Sequence, residues 1–188
     1  TNSVDNCNRL CHSSTVAGLA KTYGYGAASI STADLELADC ILLTGSNTTE
    51  AHPVLATRIK QNVRDGADLL VFDPREVQIA EYATQYSRVT PGYDAVWING
   101  IIRHIIDNGL YDEAFVEEQT TGFEEMTEAV QEFTPEVVED VTGVPHEEIV
   151  SAAETIAAAD ACVFGWTLGL TEHSHGTENV MAMANLAA

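Results

Sequence analysis

Short apolar runs alternating with longer amphipathic segments constrain this chain more than any other feature. The short runs near Cys40–Thr44, Leu69–Phe72, Tyr86–Val89 and Cys162–Trp166 read as strands. Between and around them, apolar residues recur at helical spacing over about 15–21, 50–65, 93–108, 112–118, 123–133, 135–141, 146–159 and from 176 onward. Strands separated by helices need crossover connections, so they pair in parallel. The pattern predicts an α/β fold: a Rossmann-like parallel sheet flanked by helices, with a helical insertion over 109–159 before the last strand. No internal repeat, low-complexity stretch or long linker divides the chain, so residues 1–188 read as one domain.

The length of 188 residues, 45% of them hydrophobic, suffices for a substantial core. No apolar run approaches the roughly 20 residues that cross a bilayer, and no basic leader precedes an apolar stretch, so neither a membrane segment nor a signal peptide is expected. The chain opens at Thr1 and closes on an uncapped apolar helical pattern, Met181–Ala188, which reads as a piece excised from a larger subunit. Acids outnumber bases 29 to 8, giving a net charge of -21. Nucleic acid is thereby excluded as a partner, because phosphate binding needs a basic stripe. The acids are dispersed through helical segments such as 113–148, as solvated faces are, and a halophilic source is expected from such a carboxylate coat. Four cysteines, Cys7, Cys11, Cys40 and Cys162, form no zinc or disulfide framework, and a reducing, cytoplasmic compartment is expected. Cys40 and Cys162 fall in or beside apolar runs and read as core residues, whereas Cys7 and Cys11 lie in a polar stretch.

In open parallel sheets, ligands gather beyond the carboxyl ends of the strands, where turns and helix starts offer unpaired N–H groups. Four turns qualify. Gly45-Ser46-Asn47 permits close backbone approach and supplies two polar side chains, although an ordinary strand-to-helix turn has the same composition. Asp73-Pro74-Arg75 pairs an acceptor for ribose or guanine with a cation for phosphate, and Arg58, Lys60 and Arg64 fall close by in sequence; a capping aspartate with a surface arginine is the plain alternative. Pro91-Gly92 and the glycine-bearing turn 165–169, followed by Glu172, His173 and His175, complete the edge. Neither a Walker loop nor Gly-x-Gly-x-x-Gly is present. The Cys11-His12 dipeptide is the best candidate for chemistry, since a thiolate is a soft metal ligand and an imidazole handles protons near neutrality. His173 and His175 read as loop histidines before metal ligands.

Taken together, Asn8-Arg-Leu-Cys-His-Ser-Ser-Thr-Val-Ala-Gly-Leu19, Gly45-Ser-Asn-Thr-Thr-Glu-Ala-His-Pro53, Asp73-Pro-Arg75 and Thr134-Pro-Glu-Val-Val-Glu-Asp-Val-Thr-Gly-Val-Pro145 resemble the formate dehydrogenase catalytic (alpha) subunits of the molybdopterin oxidoreductase superfamily. The resemblance spans essentially the whole chain, in the family's order and spacing. It implies one of the two related α/β domains that clasp a bis(molybdopterin guanine dinucleotide), or bis-MGD, cofactor carrying molybdenum or tungsten. By resemblance, Cys11 is the metal ligand and His12 the proton-handling histidine. Gly45, Ser46, Asn47 and Glu50 match the loop near the pterin diphosphate. Asp73, Pro74 and Arg75, with Gly92 and Asp94, match the guanosine-side loops, and Leu168, Gly169 and Glu172 match the turn that approaches the metal.

The reaction implied is oxidation of formate to carbon dioxide, with two electrons passing to the metal and on to iron-sulfur clusters. A 4Fe-4S cluster would lie in a part of the parent subunit outside this chain, and the partners implied are the remaining domains and electron-transfer subunits. Two positions depart from the family: Met181 falls where an arginine binds the substrate carboxylate, and Glu172 where glutamine is expected. The alternatives are a domain of another molybdopterin oxidoreductase, such as a nitrate reductase-like enzyme, a non-catalytic Rossmann-like binding module, and an interaction domain built on the helical region 109–159.

Overall fold

A computed structural model describes residues 2–188 of the chain. Four strands, β1 (Cys40–Thr44), β2 (Asp68–Phe72), β3 (Gln85–Ser87) and β4 (Cys162–Trp166), form one sheet in the order β3-β2-β1-β4. Every pairing is parallel. Thr44 lies opposite both Phe72 and Trp166, so three strands end level and their following turns share one edge. β1 is buried along its whole length, as its unbroken Cys-Ile-Leu-Leu-Thr run requires of a strand covered on both faces.

Eleven α-helices are described: α1 (Asn8–Cys11), α2 (Ser13–Thr22), α3 (Thr48–Ala51), α4 (Pro53–Arg64), α5 (Asp94–Asp107), α6 (Glu113–Gln119), α7 (Phe123–Ala129), α8 (Pro135–Thr142), α9 (His146–Ala158), α10 (Leu168–Thr171) and α11 (Gly176–Ala187). The sheet's alternating side chains divide the core in two. Leu42, Leu70 and Phe72 pack with Trp97, Ile98 and Ile101 of α5, Ala152 and Ala153 of α9 and Val180 and Met183 of α11. Phe72 and Trp97 stack with ring centroids 4.2 Å apart. Ile41, Leu43, Leu69 and Val71 pack on the other face against Ala56 and Ile59 of α4, with Val77 and Ile79.

The expected architecture stands, and its departures have local causes. The single helix expected over 50–65 is two, because Pro53 opens α4 and pushes His52 out of helical conformation, to φ -137° and ψ 62°. β3 starts one residue early and stops at Ser87; the chain then leaves the sheet to reach α8, where Thr90 N donates to Thr142 O. Within the helical region 109–159, α6 and α7 contribute no buried side chain, whereas α9 carries Ile149, Ala152, Ala153 and Ile156 into the main core. α9 is therefore the crossover helix before β4. α8 shows how locally such a helix is specified: Thr134 caps Val137 N, Pro135 opens it, and Gly143 closes it at φ 74°.

Candidate active site at the carboxyl edge of the sheet

The turns after β1 and β4 interlock. Gly45 has φ 55°, and its carbonyl accepts from Thr167 Oγ1 (2.6 Å) and from Gly169 N (3.1 Å). A Cβ added to Gly45 would lie 2.6 Å from Gly169 Cα, and one added to Gly169 would lie 2.5 Å from Gly45 Cα. Both glycines are thus demanded by backbone meeting backbone. Ser46 is buried and its hydroxyl shares a 2.8 Å hydrogen bond with that of Thr48, so it braces the turn. Glu50 is exposed, and Leu168 and Gly169 present an open surface. Thr44 Oγ1, Asn47 Oδ1 and Thr49 Oγ1 are buried along this turn without hydrogen-bond partners. Such orphaned groups are costly unless something else satisfies them.

After β2, buried Asp73 accepts from Arg75 N through Oδ1 (2.9 Å), and its carbonyl accepts from Tyr86 OH (3.1 Å). Pro74 is half-buried between them, and Arg75 is exposed. The neighbouring cations do not join it. Arg58 pairs with Glu36, and Lys60 Nζ and Arg64 Cζ lie 4.7 and 5.9 Å from the centre of the Tyr82 ring. After β3, Gly92 (φ 94°) leads into Asp94, which is 5% exposed at the start of α5. His175 Nε2 donates to Gly92 O (2.9 Å), and His173 Nε2 donates to Gly169 O (2.7 Å) and lies 3.7 Å from Asp94 Oδ2. The two histidines therefore tie the β3 turn to the β4 turn. Burial raises the Asp94 carboxyl above the ordinary range, against the opposing pull of His173.

Cys11 ends α1 and His12 sits at the break before α2, at φ -121° and ψ 20°. This pair is fastened to the far end of the chain. Thr171 Oγ1 donates to Cys11 O (2.8 Å), Ser14 Oγ donates to Thr171 O (3.0 Å), and Trp166 Nε1 donates to Thr15 Oγ1 (3.0 Å). Thr15 Oγ1 is also 3.1 Å from His12 Nδ1. An indole only donates, so the Thr15 oxygen accepts from Trp166 and joins that indole to the His12 ring. Desolvation, the Cys7 thiol with its sulfur 3.7 Å away, and the negative charge of Glu172 hold the Cys11 thiol above its ordinary range. Glu172 directly follows Thr171, whose hydroxyl bonds the Cys11 carbonyl, and so adjoins this segment.

The structure therefore brings Cys11 and His12 to the β4 turn, Gly45 to Gly169, and Gly92 and Asp94 to His173. Met181 lies half-buried on α11. Cys40 and Cys162 face each other across β1 and β4, where the hydrogen bond to Cys40 and then burial push the Cys162 thiol far up. Sequence reasoning passed over Ser14, Thr15, Trp166, Thr167 and Thr171, whose hydrogen bonds join residues far apart in the chain and leave no periodic trace. Among the described residues, no group of three or more His, Cys, Asp or Glu side chains is arranged to hold a metal ion. The Cys11 thiol beside an imidazole fits a metal centre whose other donors are supplied from outside these residues, by a cofactor or by other parts of the protein. No described helix is long and apolar enough to cross a membrane.

The chain is similar to known proteins. The family model described as "Molybdopterin oxidoreductase" matches residues 1–188. The chain is 40% identical over 187 residues to the "F420-dependent formate dehydrogenase subunit alpha" of Methanocaldococcus jannaschii, covering 100% of this chain and 28% of that protein. It is 40% identical to the "Probable oxidoreductase YjgC" of Bacillus subtilis, covering 99% of this chain and 19% of that protein. The chain thus spans about a fifth to a quarter of the length of these curated relatives. Among solved structures, acetylene hydratase from Pelobacter acetylenicus superposes with a TM-score of 0.83 at 30% identity, over 94% of this chain and 24% of that one.

Proposed function

The chain belongs to the molybdopterin oxidoreductase family, and from that premise we propose that it is one cofactor-cradling domain of a formate dehydrogenase catalytic subunit. In this reading residues 1–188 are a single domain of a larger subunit, the cofactor is bis-MGD with molybdenum or tungsten, and formate is oxidised to carbon dioxide. The two electrons leave through iron-sulfur clusters in other parts of the parent protein. The observation that carries it is the Cys11 thiol, with the Cys7 thiol beside it, in a segment fastened to the carboxyl edge of the sheet near a turn with orphaned polar atoms.

Each residue then has a task. Cys11 ligates the metal, which supplies the sink for the electron pair. His12, next to Cys11, would take the proton that formate releases as the electron pair leaves. Gly45 and Gly169 keep side chains out of the way of a diphosphate, with Asn47 supplying a polar contact and Ser46 bracing the turn. Glu50 flanks that turn. Asp73 and Arg75, set by Pro74, receive the guanosine end on one side, with Gly92 and Asp94 on the other, and Leu168 and Glu172 border the metal. Taken alone, the chain is expected to be inactive, because half of the cofactor clamp lies outside it.

A second reading keeps the cofactor and changes the substrate. Glu172 puts negative charge near Cys11, and Met181 brings no cation, an edge suited to a neutral substrate. The deciding experiment measures metal and pterin content and formate-dependent dye reduction in the full-length parent and its Cys11→Ser variant. Metal, pterin and formate turnover that the variant loses support the first reading. Metal and pterin without formate turnover favour the second, and absence of both would sink the cofactor assignment.

A further inference from the structure

The helix that delivers Cys11 has no anchor of its own. α1 is a single turn in which no side chain is buried, and its end is broken from α2 at His12. Side chains that do not enter the core cannot fix a ligand to the fraction of an ångström that metal coordination demands. The Cys11 carbonyl points instead at a buried partner: Thr171, 3% exposed, donates its hydroxyl hydrogen to it at 2.8 Å across a sequence separation of 160 residues. The bond is reciprocated, because Ser14, three residues past Cys11, donates its own hydroxyl to the Thr171 carbonyl at 3.0 Å. Thr171 in turn is held from behind. Asn179, fully buried on α11, donates Nδ2 to Leu170 O at 3.1 Å, and Gly176 lies so close that an added Cβ would sit 2.1 Å from Thr171 O and 2.8 Å from Ser14 Oγ.

We propose that Thr171, locked by Ser14, is the positioning residue for the metal-ligating cysteine: a two-bond clasp that fastens the Cys11 segment to the β4–α10 turn. The inference rests on the reading of Cys11 as the ligand. It assigns the glycine at 176 a purpose as well, since any side chain there pries the clasp apart. Thr171 touches neither metal nor substrate and acts through the Cys11 backbone.

The test uses the full-length protein with Thr171→Val, which keeps the shape and removes the donor, and Thr171→Ser, which keeps the donor. Metal per protein is measured after dialysis against a chelator, and the rate at which iodoacetamide alkylates Cys11 is measured in cofactor-free protein. Thr171→Val is expected to weaken metal retention by roughly 10- to 100-fold, the usual effect of losing a group that orients a ligand. It should also accelerate Cys11 alkylation several-fold, with Thr171→Ser near wild type in both. If Thr171→Val does not fold, Ser14→Ala decides by the same two readouts, with a smaller shift in each. Wild-type metal retention and alkylation in the folded variant overturn the clasp. Full metal retention in Cys11→Ala, which leaves no donor atom, overturns the ligand reading itself, whereas metal lost in Cys11→Ala but kept in Thr171→Val defeats only the clasp.

Discussion

Two parts of the candidate site reach the same edge of the sheet by opposite means. The turns after β1, a fully buried strand, and β4, a half-buried one, touch backbone to backbone through Gly45 and Gly169. The Cys11–His12 segment is far less buried: Val4, Leu10 and Val16 around it are 81, 73 and 48% exposed, and the buried residues that follow it, Gly18 and Leu19, come only later on α2. The cradle is placed by packing, which is dense and intolerant of change. The reactive pair is placed by a few long-range hydrogen bonds, each worth about 1 kcal/mol net. The same edge therefore combines a rigid seat with a segment that can be displaced at small cost.

The largest effect should come from disturbing the seat. Gly45→Ala puts a methyl group against backbone that cannot yield, in a left-handed conformation that disfavours it. Overpacking of about 1–3 kcal/mol and a left-handed penalty of roughly 1–2 kcal/mol together predict a loss of about 2–5 kcal/mol. Denaturant unfolding monitored by circular dichroism measures it. A near-neutral Gly45→Ala would mean that the interlock is loose and that packing does not set the seat apart from the Cys11–His12 segment.

A smaller loss is expected from the hydrogen-bonded segment. Thr15→Val leaves Trp166 Nε1 and His12 Nδ1 without the oxygen they share and should cost about 1–2 kcal/mol. Thr15→Ser should recover most of it. Thr15→Ser behaving as badly as Thr15→Val would show that the methyl group, and so packing, holds the segment after all.

The seat was more legible in the sequence than the segment, for the same physical reason. Continuous apolar runs announce β1 and β4, and with them the edge at which Gly45 and Gly169 meet. Parallel topology follows from the helical spacing between them. Pro53 was a legible stop that breaks the helix at His52. The Cys11-His12 pair was visible as a dipeptide and by resemblance, but its partners Thr15, Trp166 and Thr171 were not. A hydroxyl that bonds a carbonyl 160 residues away looks, in one dimension, like any surface threonine. The clustering of Arg58, Lys60, Arg64 and Arg75 misled in the reverse direction. Sequence proximity on α4 put three of them on the helix flank, with Glu36 and Tyr82, and left Arg75 alone at the strand end.

The seat also holds a charge against its own stability, which yields the smallest and most conditional effect. Burial raises the Asp94 carboxyl above its ordinary range, with His173 offsetting part of the shift. The folded state therefore binds this proton more tightly than the unfolded chain does, where an aspartate titrates near about 3.9. Its stabilising contribution is fully present below that unfolded value and is lost as pH rises through the raised folded one. At neutral pH the ionised carboxylate is then a net cost, and Asp94→Asn should make the protein slightly more stable. That gain should shrink toward zero as the pH is lowered toward the unfolded value, as read from unfolding midpoints across a pH series. A buried carboxylate carrying such a cost is what the proposed ligand-facing role of Asp94 predicts. Should Asp94→Asn instead be destabilising at neutral pH, the pairing with His173 at 3.7 Å outweighs desolvation, and Asp94 is a structural anchor between the β3 and β4 turns.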